Sequence, residues 1–232
     1  MTQNSFIEEL NKIGICVTDK QLSQLESYYE LLVNYNQQFN LTAITDKESI
    51  YLKHFYDSAT LYKIVDLNNI DTMCDIGSGA GFPGIVLKIL FPNLKITLVD
   101  SLNKRINFLN IVIDSLGLQN IEALHARIEE YASINRNKYD LVTARAVAST
   151  NILLEYGIPM VKINGFFVAM KGKIDSEPNY EKASNLLNAK KVDEIVFKLP
   201  FEESNRTLIK FTKIQDNKKY PRKFALIKKN PL

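Results

Sequence analysis

Apolar residues recur every three or four positions over the first part of the chain, which is the spacing of an amphipathic helix. This period predicts helical structure over residues 5–38 and again over residues 47–66, with Asp19 placed to cap a helix start. The first apolar face consists of Leu22, Leu25, Tyr29, Leu32 and Val33. The second stripe consists of Ile50, His54, Ser58, Leu61 and Val65.

From residue 71 onwards, short apolar runs alternate with helical periods. The predicted strands cover residues 72–76, 95–100, 120–126, 139–145, 165–172, 193–199 and 206–214. The predicted helices cover residues 81–90, 104–117, 151–160 and 177–190. Strands separated by helices indicate an α/β fold with a mostly parallel sheet covered on both faces. The last two strands have no helix between them, which indicates an antiparallel edge.

The pattern divides the chain into an N-terminal helical cap, residues 1–68, and an α/β domain, residues 69–232. No repeat or low-complexity linker separates the two parts in the sequence, so we expect the cap to pack on the sheet. The 232 residues are 46% hydrophobic and 24% charged, which is typical of a globular protein with a substantial core.

The first ten residues, MTQNSFIEEL, lack the basic start and apolar run of a secretory signal, and no apolar stretch is long enough for a membrane span. Cys16 and Cys74 are far apart and lie in apolar patterns. Both are predicted to be buried thiols in a reducing compartment, without a disulfide or a metal site. The sequence therefore predicts a cytoplasmic protein.

The net charge of +3 is unevenly distributed. The segment from Arg206 to the end holds nine Lys and Arg residues and one acid, so it carries +8 and the first 205 residues carry −5. Such an asymmetry is expected when one surface meets phosphates. A solvated lysine-rich terminus explains the same charge equally well.

A glycine loop follows the first predicted strand in the stretch CDIGSGAGFPG, residues 74–84. A P-loop is excluded because no Gly-Lys-Ser/Thr follows. A dinucleotide loop needs glycine at the sixth position from Gly77, where this chain has Phe82. The spacing suits S-adenosylmethionine, whose amino-acid end carries no phosphate and lies along the loop backbone. Asp75 is then placed to serve the ammonium group, directly or through water.

Acidic residues follow the next two strands. Asp100 ends the second strand, where a carboxylate accepts both hydroxyls of a ribose, in NAD enzymes as well as in methyltransferases. After the third strand, the backbone at Ile128 and the side chain of Glu129 are placed to meet an adenine edge. Each acid alone is explained as an exposed loop residue. The glycine loop, Asp100 and Glu129 follow three successive strands. Together they indicate a nucleoside site, because ligands bind at the carboxyl ends of these strands.

The residues that would contact the methyl acceptor indicate its identity less specifically. The segment after the fourth strand, TARAVAST, lacks the Asp/Asn-Pro-Pro loop that serves exocyclic amines, and neither cysteine is placed to attack a pyrimidine. It offers Arg145, whose guanidinium can hold a carboxylate, a phosphate or a guanine edge. Guanine N7 needs no proton removal and therefore no general base. A structural salt bridge is the alternative explanation of Arg145.

Eight short motifs occur in the order typical of one known family and span most of the chain. They are NLTAI at 40–44, HFYDS at 54–58, DIGSGAGFPG at 75–84, DSLNKR at 100–105, RIEE at 127–130, TARAVA at 143–148, MKG at 170–172 and YPRK at 220–223. On these motifs the chain resembles the bacterial small-subunit ribosomal RNA guanine-N7 methyltransferases known as RsmG or GidB.

The resemblance implies a class I, Rossmann-like S-adenosylmethionine-dependent fold with an N-terminal helical cap. It implies methylation of N7 of one guanine in the 530 loop of 16S rRNA, on the free RNA or on the small ribosomal subunit. We also expect a monomer without a metal. The cofactor contacts implied or independently expected are Gly77, Gly79, Phe82, Asp100, Ile128, Glu129 and Arg145. Arg145 is also the candidate for positioning the guanine, and no catalytic residue is otherwise assigned.

Residues near the RNA are expected at the mouth of the same pocket. His54 and Asp57 are placed there by the resemblance, although a helix-face histidine held by its neighbours explains His54 equally well. Lys171, Arg222 and Lys223 are candidates for phosphate contacts. The tail YPRKFALIKKNPL lacks the Gly and Pro that commonly follow this motif in the family, so its path is open.

Two other functions fit parts of the pattern. An NAD-dependent dehydrogenase shares the strand order and Asp100, but Phe82 in the loop opposes it. A non-catalytic RNA-binding module with a vestigial pocket would use the basic tail and would bind RNA with a steep salt dependence.

Overall fold

The computed structural model describes residues 1–172 and 180–232. Its α-helices are α1 Gln3–Lys12, α2 Asp19–Phe39, α3 Lys47–Ile50, α4 Asp57–Ala59, α5 Gly84–Leu90, α6 Asn103–Ser115, α7 Ile128–Ile134, α8 Thr150–Gly157, α9 Tyr180–Leu186 and α10 Phe224–Lys229. Its strands are β1 Thr72–Ile76, β2 Lys95–Asp100, β3 Ile121–His125, β4 Tyr139–Arg145, β5 Val161–Lys171, β6 Ala189–Lys198 and β7 Asn205–Lys213.

The described strands form one seven-stranded sheet in the order β3-β2-β1-β4-β5-β7-β6. The first five strands are parallel, and β7 pairs antiparallel with both β5 and β6. The prediction of a mostly parallel sheet with an antiparallel edge is confirmed. Because β7 runs against the others, its first residues lie at the same edge as the carboxyl ends of the parallel strands, with Thr207 opposite Lys171.

The helical start is two helices rather than one. A turn at Gly14, whose φ is +85°, separates α1 from α2. The cap of α2 is Thr18, whose side chain accepts from the Gln21 backbone N–H while the Gln21 side chain returns to Thr18. Asp19 is therefore the first helical residue, and the expectation that it caps the helix is wrong by one position.

The second helical stretch, predicted over 47–66, changes its winding along its length. It passes from α3 into a π-helical turn over Tyr51–Tyr56, then into α4 and a 3₁₀ turn over Thr60–Lys63. A π turn displaces the following side chains around the helix axis, and such turns are frequent at functional sites. Here the turn contains His54 and directly precedes Asp57.

Two apolar cores lie on opposite faces of the sheet. One joins α1, α2 and the 47–66 stretch to the inward side of β1 and β2, through residues such as Phe6, Leu25, Phe55 and Leu98. The other packs α8 and α9 on the opposite face, around Phe167. The cap thus shares a core with the sheet, as we expected from the sequence.

Some expectations about individual segments need correction. Cys74 is buried, as predicted, but Cys16 is exposed in the link between α1 and α2. Two short helices, α7 and α10, were not predicted. Of the helix predicted over 177–190, only Tyr180–Leu186 is observed, as α9; Ala189 already begins β6, and residues 177–179 of that prediction lie outside the described residues.

The C-terminal segment is held against the domain by ion pairs. Arg222 donates to the buried Glu155 from its backbone N–H, Nε and Nη2 at 2.7–2.9 Å. Lys213 is buried and donates to Asp216 at 2.8 Å. The tail cations that remain exposed are Lys218, Lys219, Lys223, Lys228 and Lys229. Part of the basic charge counted in the sequence is therefore neutralised inside the fold.

Candidate functional site

A cavity of about 690 Å³ opens at the carboxyl ends of the parallel strands, between the sheet and the cap. This is the edge at which ligands bind in sheets of this kind. The residues predicted for the site that line it are His54, Asp57, Gly77, Gly79, Phe82, Asp100, Ile128, Arg145 and Lys171. The structure thus brings most of the predicted site residues together.

The glycine loop forms one wall with backbone conformations that only glycine adopts easily. Gly77 and Gly79 have φ values of +70° and +60°. A Cβ on Gly77 would lie 2.6 Å from a methyl group of Val147, in the loop after β4. The loop therefore leaves open backbone along the cavity, and a side chain at Gly77 would close the gap between two walls.

Asp100 lies where the loop meets the end of β2. Asp100 is only 1% exposed. Its Oδ2 accepts from the Gly79 backbone N–H at 2.9 Å and from Arg105 Nη1 at 3.0 Å. Oδ1 accepts from the Leu102 N–H at 2.9 Å. The carboxylate is fixed in one orientation beside the cavity, which suits it to accept ribose hydroxyls. Arg105, which was not predicted as a site residue, also lines the cavity.

These features fit S-adenosylmethionine. The open glycine backbone accommodates an amino-acid chain, the fixed carboxylate accommodates a ribose, and the cavity is large enough for a nucleoside with its side chain. Ile128, the first residue of α7, lines the cavity on the side where adenine is expected. Glu129 is not among the lining residues, and its carboxylate accepts from Arg127 Nε at 2.8 Å. Its contact with the cofactor stays a prediction.

Asp75 lies beneath the loop and does not line the cavity. It is fully buried, its Oδ2 accepts from the Gly84 N–H at 3.0 Å, and its Oδ1 has no hydrogen-bond partner among the described residues. Burial raises the pKa of Asp75 to about 7, against the lowering effect of the Gly84 hydrogen bond. In the structure Asp75 supports the start of α5 and has no direct access to the cavity.

This burial predicts a pH-dependent stability. Because the pKa of Asp75 is higher when folded, the folded state retains the proton more tightly, and stability falls as pH rises from about 4 to about 7. Asp75→Asn removes this ionisation and keeps an acceptor for Gly84. Relative to wild type, the variant should gain up to about 4 kcal/mol by pH 8. Urea unfolding of both proteins across this range checks it, and parallel pH curves would contradict it.

The cap reaches the loop through Tyr28 of α2. Its buried hydroxyl donates to the Ala80 carbonyl at 2.5 Å, and its ring lies 5.5 Å from the Phe82 ring. Burial raises the pKa of Tyr28 well above its usual value, so the hydroxyl stays protonated and remains a donor. The cap therefore fixes the loop from behind.

Tyr28→Phe should weaken cofactor binding several-fold and reduce the free energy of unfolding by about 1 kcal/mol, because a buried carbonyl loses its donor. Calorimetry with S-adenosylhomocysteine and urea unfolding measure the two effects. Tyr51→Phe is the matched control, since that hydroxyl donates at 3.0 Å to Glu26, away from the loop. Equal cofactor affinities in the two variants would contradict the role of Tyr28.

Arg145, at the end of β4, lines the cavity beside Phe82 of the loop. Its Nη1 donates to Asp57 Oδ2 at 2.8 Å and to the Lys53 carbonyl at 3.0 Å, and its guanidinium lies 5.1 Å above the Phe82 ring. The salt bridge considered from the sequence is thus present, and it holds Arg145 inside the cavity lining. Arg145 therefore forms a structural salt bridge and also lines the candidate site.

His54 stacks on the same aromatic ring, at 4.4 Å between centroids. Its Nε2 lies 2.9 Å from Thr42 Oγ1, and Thr42 belongs to the NLTAI motif. Burial, and then the charge of Arg145, lower the pKa of His54 to about 4, so the ring is neutral near pH 7. His54 is therefore part of an aromatic wall, and it lines the cavity as well.

The predicted phosphate contacts are found in different places. Lys171 lines the cavity, and its Nζ donates to the Ala148 carbonyl at 2.7 Å. Arg222 and Lys223 are outside the cavity lining. Arg222 is bound to Glu155, so it anchors the tail, and a phosphate contact of its guanidinium finds no support in this geometry. Lys223 is exposed at the start of α10, and its phosphate contact stays a prediction.

One cavity residue was counted in the sequence only as part of the basic tail. Arg206, at the start of β7, lines the cavity and donates from Nε to Asp57 Oδ1 at 2.8 Å. The antiparallel edge is the signal that would have located it, because such a strand begins where its parallel neighbours end. In the described part of the chain, no three or more His, Cys, Asp and Glu residues gather into a possible metal site.

The fold has counterparts among solved structures. A SAM-dependent methyltransferase from Aquifex aeolicus matches 72% of this chain and 94% of its own with a TM-score of 0.51 and 17% identity. M. jannaschii TYW2, solved in complex with AdoMet, matches 62% of this chain and 69% of its own with a TM-score of 0.51 and 18% identity. These likenesses show that the chain has the class I, Rossmann-like fold found in methyltransferases.

Sequence relatives narrow the class. A protein named ribosomal RNA small subunit methyltransferase G from Lysinibacillus sphaericus is 48% identical over the whole of both chains. One of the same name from Bacillus subtilis is 45% identical over 100% of this chain and 99% of its own. The family model GidB, rRNA small subunit methyltransferase G, matches residues 21–208. The chain belongs to this family. Membership in this family favours methyl transfer over the function of an NAD-dependent dehydrogenase, which the sequence had left as an alternative.

Proposed function

We propose that the protein methylates N7 of a guanine in the 530 loop of 16S rRNA. The family name given to its relatives supports ribosomal RNA of the small subunit as the substrate. The choice of N7 rests on the chemistry of the cavity. Its acceptor side holds fixed cations, and it holds no group suited to remove a proton near neutral pH among the described lining residues.

The described lining residues offer no suitable general base. The pKa of His54 is lowered to about 4, which leaves the ring a weak base. Asp57 and Asp100 both accept from arginines in ion pairs. Neither cysteine lines the cavity, so a covalent route through a thiol has no support. Guanine N7 is one acceptor that fits such a cavity, because it presents its lone pair without losing a proton.

The residues divide into a donor side and an acceptor side. Gly77, Gly79, Phe82, Asp100 and Ile128 would hold the cofactor, which supplies an electrophilic methyl group on its sulfonium. The cofactor contacts of Glu129 and Arg145 stay predictions. Arg145 offers its remaining N–H groups to the guanine edge, which fixes the base for in-line attack. Phe82 supports the guanidinium from below and keeps water from this wall.

Tritiated S-adenosylmethionine with small ribosomal subunits and with naked 16S rRNA tests the proposal. We expect label in the RNA, and chain scission specific to N7-methylguanine should place it in the 530 loop. Label at another base or position would contradict the proposed site. Label only in a small metabolite would leave a methyltransferase with a different acceptor.

We further propose that the protein acts in the cytoplasm, as a monomer and without a metal, with residues 1–68 and 69–232 as its two parts. In the described chain no helix combines the length and apolarity needed to cross a bilayer. Light scattering of the purified protein tests the monomer, and activity after exhaustive treatment with a chelator tests the independence from metal.

A further inference from the structure

Asp57 is the one carboxylate of the cap whose two oxygens each bind a different arginine in the described structure. Oδ2 accepts from Arg145 Nη1 at 2.8 Å, and Oδ1 accepts from Arg206 Nε at 2.8 Å. The residue is 6% exposed, so water competes little for these bonds. Asp57 therefore joins three elements, the cap, the end of β4 and the start of β7, at the mouth of the cavity.

The two arginines keep further donors on the cavity side. Arg145 uses Nη1 for Asp57 and for the Lys53 carbonyl, and its Nη2 lies 3.4 Å from His54 Nδ1. Arg206 uses Nε for Asp57 and Nη1 for the Asn205 carbonyl. Both side chains line the cavity, and Arg145 Nε and Arg206 Nη2 form no hydrogen bond within the described structure. Without a shared anion between them, two arginines this close would repel each other.

The described lining of the cavity contains more cationic than acidic side chains. The cations that line the cavity are Lys53, Arg105, Arg145, Lys171 and Arg206, against Asp57 and Asp100. An acid at an RNA-binding mouth weakens attraction to phosphate, so its presence needs a reason other than affinity. The geometry supplies that reason, because each oxygen fixes the plane of one guanidinium.

We propose that Asp57 is a positioning residue, which holds Arg145 and Arg206 in the orientation that grips the acceptor nucleotide. Arg145 meets the guanine and Arg206 meets the backbone of the same RNA strand. This inference rests on the proposed function, since it assigns roles at the acceptor side of that site. It predicts that removing a negative charge from the mouth slows the reaction, against the simple electrostatic expectation of stronger RNA binding.

The chain offers a matched control in Glu202. Its carboxylate accepts from Lys53 Nζ at 2.7 Å, and Lys53 also lines the cavity. Glu202 thus neutralises a cation at the same mouth, but it pairs with a flexible lysine and binds no guanidinium. Asp57→Asn and Glu202→Gln remove the same charge from the same region, and only the first removes a shared anchor.

The experiment measures kcat, RNA affinity, cofactor affinity and Tm for the wild type and both variants, with small ribosomal subunits as substrate. Asn keeps one acceptor oxygen and turns an NH₂ group towards the other arginine, so Asp57→Asn should lower kcat at least about tenfold. Its affinity for S-adenosylhomocysteine and for RNA should stay within about twofold or, for RNA, increase. Glu202→Gln should keep kcat within about twofold.

The outcomes test the positioning role of Asp57 and the proposed function separately. If Asp57→Asn keeps the wild-type kcat, or loses cofactor affinity in proportion to kcat, Asp57 does not position the acceptor side. If Asp57→Asn does not fold, Arg206→Gln decides, because it leaves the Asp57–Arg145 pair intact and should still lower kcat several-fold; an unchanged kcat there overturns the inference. A wild-type protein that labels neither particles nor RNA overturns the proposed function, and this inference with it.

Discussion

Gly77→Asp should abolish cofactor binding while the protein stays folded. The native φ of +70° strains any residue with a side chain by about 1–3 kcal/mol, and the new Cβ would also overlap Val147 at 2.6 Å. The added carboxylate would then project between the loop and the segment after β4, where the cofactor chain is expected. We expect affinity for S-adenosylmethionine to fall at least about 100-fold by calorimetry.

Gly117→Asp is the control that distinguishes backbone strain from obstruction of the cofactor site. Gly117 has a similar φ of +61°, but a Cβ there meets no atom within 4 Å, and the residue follows α6 outside the cavity lining. This variant should lose about 1 kcal/mol of unfolding free energy and keep its cofactor affinity. If both variants lose affinity equally, strain in the fold and not obstruction of the site explains Gly77→Asp.

Arg145→Ala should lower kcat/KM for ribosomal RNA about 100-fold, because the acceptor loses the group that orients it. The same change leaves Asp57 with Arg206 as its only recorded arginine partner and exposes the Phe82 ring. Arg145→Lys should recover little activity, since an ammonium lacks the planar fork that spans Asp57, the Lys53 carbonyl and an acceptor. Initial rates with tritiated cofactor measure both variants.

Arg136→Ala controls for the loss of a paired arginine as such. Arg136 donates to Asp216 from Nε at 3.1 Å and Nη2 at 2.7 Å, near the amino end of β4 and so at the opposite edge of the sheet. It should lower Tm and leave kcat/KM near the wild-type value. Wild-type kcat/KM in Arg145→Ala would show that the residue serves only the fold.

The central strands could be predicted to the residue from the sequence. β1, β2 and β4 match their predicted limits because they are short segments rich in apolar residues, and most of their residues are buried. The short helix α7 was missed because only Tyr131 and Ala132 of its seven residues are buried, so its apolar period is too brief to detect. The break between α1 and α2 was also missed, because the apolar faces of both helices are buried in one core.

The donor side of the site could be predicted because it is local. Gly77, Gly79 and Asp100 follow directly from where two strands end, and their spacing in the chain reflects the chemistry they serve. The acceptor side could not be assembled in this way. Asp57 lies 88 residues from Arg145 and 149 from Arg206, and their meeting depends on how the cap and the antiparallel edge fold onto the sheet.

The part of the cavity wall that the cap contributes has a practical consequence for inhibitor design. A compound that fills only the nucleoside half of the cavity meets a glycine loop and a carboxylate, features that many cellular methyltransferases share. One that extends across to the neutral imidazole of His54 and the hydroxyl of Thr42 reaches groups supplied by the cap. Selectivity for this enzyme should therefore come from the far half of the ligand.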